Sequence, residues 1–118
     1  MATWTEAQLA NQVLTDLGRL PAGQTAPAED LALVEGKIEA VYDQLNKSPG
    51  LTFSLAAIPT WAQIPLTEYV VEKCKPAFGV AVQRTPSGDN PIEEKARREL
   101  VRQMAGDKQD HQIVADYY

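Results

Sequence analysis

The stretch "EDLALVEGKIEAVYDQLNK", residues 29–47, places Leu31, Val34, Ile38, Val41 and Leu45 alternately three and four positions apart. That spacing lines one side of an α-helix and forms a seam for packing against other helices. Pro27 suits the first turn, where its missing N–H costs nothing, and Glu29 and Asp30 fall near the positive end of the helix dipole. The helix is expected to end near residue 47, before "SPG". Gly36, in its middle, costs about 1 kcal/mol relative to Ala. It marks either a close helix approach or an exposed, tolerated position.

Toward the N-terminus, "TEAQ" offers Thr5 as a cap with Gln8 three residues on, the spacing of a capping box. Trp4 and Leu9 stand where a hydrophobic staple needs them. Leu9, Val13 and Leu17, widened by Ala10 and Leu14, predict a helix over residues 6–17, with Gly18 ending it in a left-handed conformation. The Pro- and Gly-containing run "RLPAGQTAPAED" then reads as a loop.

Past residue 50 the pattern changes. Leu51, Phe53 and Leu55 alternate with Thr52 and Ser54, the period of a strand, and Pro59 and Pro65 interrupt regular structure. An extended stretch or short hairpin near 51–58 is expected, then a turn holding Trp61. Pro65 is expected to open a third helix with Leu66, Val70, Cys74, Ala77, Phe78 and Ala81 on its inner face. Pro76 should kink or interrupt it. "QRTPSGDNP" predicts an exposed turn, and Asn90, Pro91 and Glu93 a box-like cap on a fourth helix. Glu93–Arg97 and Glu94–Arg98 have i,i+4 spacing. Ile92, Ala96, Leu100 and Met104, supplemented by Val101, form a narrow stripe suited to lying on one neighbour. The fold class is therefore mostly α: about four helices, the segment near 51–58, and an extended C-terminal arm. The divisions are a helical domain over 1–106 and an arm over 107–118.

At 118 residues the chain fits one domain able to bury a core without disulfides. With 44 % hydrophobic and 23 % charged residues it falls in the globular class. The single cysteine excludes an internal disulfide and is compatible with a reducing compartment. "MATWTEAQL" lacks signal-peptide character, and no apolar run suits a bilayer, so a soluble protein of the cytosol is expected. A net charge of −5 disfavours nonspecific nucleic-acid binding, which needs many cations to displace phosphate counterions. "KARRELVR", residues 95–102, is the one basic concentration.

Enzymatic motifs are missing: no phosphate-binding glycine loop, HExxH, paired CxxC or Gly-x-Ser-x-Gly. His111 is the only histidine. Asp107, Asp110 and His111 read as a solvated spacer rather than a metal site, because such ligands need a rigid supporting shell. Cys74 falls on an apolar helix face and reads as core. Helix-start position and arginine neighbours account for Glu93 and Glu94. No catalytic, cofactor or metal residue is assigned, and the chain is not expected to be an enzyme.

The chain closes on "DHQIVADYY". Ile113, Val114, Tyr117 and Tyr118 either dock on another chain or else fold back or stay disordered. Tyrosine favours docking, because its rigid ring buries much area at small entropic cost and keeps a hydroxyl. Trp4, Phe53 and Trp61 either close the bundle's ends or, through the Phe53–Trp61 loop, present a second interface.

The order of "LANQVLTDLGRLPAG", "DLALVEGKIEAVYDQLNKS", "GLTFSLAAIPTW" and "IPLTEYVVEKCKPAFGV" resembles the small head–tail adaptor (connector) proteins of tailed bacteriophages and gene-transfer particles, over roughly residues 8–82. The resemblance implies a helical adaptor in a homo-oligomeric ring below the portal protein, extending the DNA channel and providing the surface for the downstream tail protein. It also implies a C-terminal arm that reaches the portal or a neighbouring subunit. DNA would pass through the lumen without specific binding, since an acidic wall repels it. No cofactor and no membrane are implied; assembly would take place in the host cytoplasm and the product would sit at the head–tail junction of the virion. A reading from another class is a small helical regulatory module, monomer or dimer, whose 31–45 seam binds a partner helix.

Overall fold

In the computed structural model of the protein, Thr5 caps a helix α1, Glu6–Asp16, through a complete capping box. The Gln8 amide donates to Thr5 Oγ1 at 3.3 Å and the Thr5 amide to Gln8 Oε1 at 2.8 Å. Gly18, at φ +76°, stands in the left-handed region that lets the chain turn away. The structure describes the backbone of residues 3–18, 20, 24–46 and 52–116, and side chains as far as Ala105.

Helix α2, Ala28–Leu45, follows Pro27, and its predicted seam is spent internally: Val34, Ile38, Val41 and Leu45 are buried and Leu31 packs partly against the core. Gly36 is exposed, with open space where a Cβ would stand, so the tolerated reading holds.

Residues 52–58 form bends and a turn, closed by Ala57 N–H donating to the Ser54 carbonyl at 3.2 Å. The expected alternation survives as burial, with Phe53 and Leu55 inward and Thr52 and Ser54 outward, while Leu51 lies outside the described residues. The extended partner is not a hairpin arm. Ile58 pairs with Trp4, amide to carbonyl in both directions at 2.9 and 2.7 Å, the only β-bridge among the described residues.

Helix α3, Thr60–Cys74, begins five residues earlier than expected, with Trp61 in its first turn and Pro65 inside it. Pro65 supplies no N–H to the Trp61 carbonyl, a cost of about 3 kcal/mol in a helix interior. Offsetting it, Ala62, Pro65, Leu66, Tyr69 and Val70 are all buried, a helical repeat that starts before the proline. Pro76 ends α3 as expected: a 3₁₀ turn, Lys75–Phe78, follows and closes at Gly79, φ +73°. Leu66, Val70 and Cys74 are buried and Phe78 is half-buried. Ala77 and Ala81, expected inside, are exposed because the helix has already stopped.

Helix α4, Pro91–Asp116, is capped by Asn90, whose Oδ1 accepts from the amides of Ile92 and Glu93 at 3.0 and 3.1 Å. Glu93 does not complete a box or bond to Arg97; its carboxylate reaches Lys73 Nζ of α3 at 2.5 Å. Ala96, Leu100 and Met104 are buried and Ile92 half-buried, the narrow stripe that was expected. The helix does not stop near residue 106. Its backbone stays helical through Asp116, because Gly106 costs only about 1 kcal/mol and no proline follows. The described part of the 107–118 segment is thus helical rather than extended. Among the described residues there are four α-helices: α3 touches each of the others, α1 and α2 pack together, and α4 rests on α3 alone.

Candidate interaction surface

The N-terminal end of α3 gathers aromatic rings from distant parts of the chain. Phe53 stacks on Tyr42 of α2, centroids 6.2 Å apart and planes 7° from parallel. It meets Trp61 edge-on at 5.5 Å and 86°. The Tyr42 hydroxyl donates to the Phe53 carbonyl, anchoring the loop to α2. Phe53 and Trp61 are half-buried against the core. Both rings thus pack against the core while staying partly open.

Trp61 also borders a groove of about 320 Å³ between α3 and α4, lined further by Ile64, Pro65, Glu68, Lys95 and Glu99. A second groove of about 240 Å³ lies across Ile64, bounded by Trp4, Gln12, Asp16, Thr67 and Glu68. Ile64 forms the ridge between them and is 70 % exposed, the most open large apolar side chain among the described residues. Covering such a side chain is worth about 1.5–3 kcal/mol. Apolar surface rimmed by charge, with tryptophans to either side, has the anatomy of a protein-binding patch.

The joint between the C-terminal end of α3 and the start of α4 is polar and buried. Asn90 Nδ2 donates to Glu72 Oε1 at 2.9 Å, and Lys75 Nζ lies 2.5 Å from Glu72 Oε2. Glu72 and Asn90 are 5 % and 4 % exposed, so these bonds hold the start of α4 to α3 where water does not compete.

Cys74 is wholly buried, and burial pushes its thiol up to about 11, so it is protonated at neutral pH and sits as a core residue. Glu6 on α1 is also perturbed. Burial first, then a hydrogen bond and the charge of Glu39, then the charge of Glu35, raise its carboxyl to about 7. Among the described residues no group of three His, Cys, Asp or Glu side chains is placed to hold a metal, and no helix is long and apolar enough to cross a membrane.

Of the residues singled out in the sequence, Trp61 borders the surface and Phe53 supports it from behind. Ile113 and Val114 lie on the last turns of α4, with side chains outside the described residues, as Tyr117 and Tyr118 are altogether. Asp107, Asp110 and His111 also have side chains outside that set. Ile64 was missed. Its signal is an apolar residue off the 62/65/66/69/70 repeat, visible only once α3 is known to begin at Thr60. No protein-family model, curated protein or solved structure matches the chain.

Proposed function

We propose that this chain is a structural assembly protein, a head–tail adaptor that joins a ring below the portal, continues the DNA channel and offers the tail its attachment surface. The observation that carries this reading is Ile64 of α3, 70 % exposed between two grooves, one against α4 and one against α1. A joint between larger bodies needs stiff apolar surface facing outward. The order of sequence features resembling adaptor proteins supports the same reading. The acidic balance of −5 suits a channel wall that lets DNA slide.

The regulatory-module reading rested on the 31–45 seam. That seam is occupied by the chain's own helices, so a partner helix would need another surface.

Electron microscopy of the purified protein mixed with a portal protein encoded beside it tests the proposal. Rings seated on portals are expected for the full chain. They should be lost for Ile64→Asp and for a chain truncated after residue 106. Monodisperse monomers beside bare portals would overturn the reading, as would undiminished joining by both variants.

A further inference from the structure

The basic run of the sequence has a place in the fold that the adaptor reading leaves unused. Arg97 and Arg98 of α4 border a cleft of about 400 Å³ on the side of the bundle where α4 faces the end of α2. Leu45, Val101 and Met104 supply its apolar lining, and Tyr69 of α3 adds an aromatic wall. Both arginines are exposed, and among the described residues neither has a carboxylate partner. The Ile64 surface is different in sign, with Glu68, Asp16 and Glu99, the last paired with Arg102, against Lys95.

One segment of the chain matches the cleft in chemistry. Residues 107–118 carry Asp107, Asp110 and Asp116 against Lys108, with Ile113, Val114, Tyr117 and Tyr118 among them. Carboxylates beside apolar and aromatic groups fit paired guanidiniums over an apolar floor, since arginine binds carboxylate in a fork and stacks on rings. The acidic rim around Ile64 would repel the same segment. The apolar part of the segment that α4 carries, at Ile113 and Val114, stands several turns beyond its own copy's cleft. α4 is one continuous helix through Asp116, so Ile113 lies about 24 Å along the axis from Arg97, at about 1.5 Å per residue.

We propose that the Arg97–Arg98 cleft receives the acidic, aromatic 107–118 segment of a second copy of this chain. The contact is heterologous, the end of one copy entering the side of the next, and such a contact generates a ring when its rotation closes. The proposal rests on the adaptor reading for its biological setting, and it assigns to copy–copy contact a surface separate from the one at Ile64. Repetition around a ring raises the effective concentration, so a single contact need not be tight.

The test uses the full chain and a fluorescent peptide of residues 106–118, followed by anisotropy. Saturable binding to the wild type is expected, weakening as salt is raised. The exposed double variant R97E/R98E should bind about tenfold more weakly, with helical circular dichroism unchanged. A D110K/D116K peptide should bind the wild type poorly and regain affinity on R97E/R98E. Equal peptide affinity for both proteins overturns the proposal. So does a short DNA duplex that binds through Arg97 and Arg98 where the peptide does not. Loss of peptide binding with portal-seated rings intact removes this inference alone. Peptide binding without any rings removes the adaptor reading alone.

Discussion

Asn90 bonds to Glu72 across the α3–α4 joint while its other amide atom caps α4, so one side chain both starts a helix and docks it. Asn90→Ala should lower stability by about 2–3 kcal/mol, from the lost cap and the stranded buried carboxylate. Asn90→Ser keeps a capping oxygen and loses the amide donor, so it should fall between the two. Urea unfolding followed by circular dichroism measures both. Equal stability of all three proteins would show that the joint contributes nothing.

The Glu6 carboxyl predicts a pH dependence with a definite sign. Its folded-state value of about 7 lies above the ordinary 4.5, so the folded chain holds a proton that the unfolded chain releases. The stabilisation is fully present below 4.5 and is lost as pH rises through about 7. Glu6→Gln should therefore be more thermostable than the wild type at pH 8, by a few degrees (~3 °C), with the gap closing at pH 5. Melting curves at the two pH values decide it. A gap that widens on acidification contradicts the assignment.

Two glycines should respond in opposite directions. At exposed Gly36 a Cβ meets open space in a helix, so Gly36→Ala should stabilise by about 0.5–1 kcal/mol. Gly79 holds φ +73° where the 3₁₀ turn closes, and Gly79→Ala should destabilise by about 1 kcal/mol. Chemical denaturation of each variant provides the comparison.

Cys74 is buried and its thiol is held protonated by that burial. In native protein at pH 8 a thiol-reactive disulfide reagent should label it at least a hundredfold more slowly (~10²) than in urea-unfolded protein, because only the thiolate attacks. Labelling at the unfolded rate would mean that α3 does not shield it.

Local chemistry was legible where neighbours along the chain settle the matter. The Thr5–Gln8 box, the α2 seam, the break at Pro76 and the Asn90 cap depend on residues within one or two turns of each other, and each stands in the structure as the pattern implied, save that Glu93 does not complete a box at Asn90. The start of α3 was not legible. Pro65 looks like a first-turn residue until Ala62, Pro65 and Leu66 are seen sharing a buried face, and that face exists only because α1, α2 and α4 surround it. Ile64 followed the same error: it precedes the expected helix start at Pro65, and in the structure it is the ridge of an open surface.

By itself, then, the sequence determined a four-helix protein with its caps and its internal seam, because hydrogen bonding and apolar periodicity act over short spans. Tertiary structure alone decided which apolar groups remain outside, that Glu93 reaches Lys73 rather than Arg97, and that Arg97 and Arg98 border a cleft. Those outcomes depend on how helices distant in the chain face one another, and burial is a property of the assembled surface rather than of any local spacing.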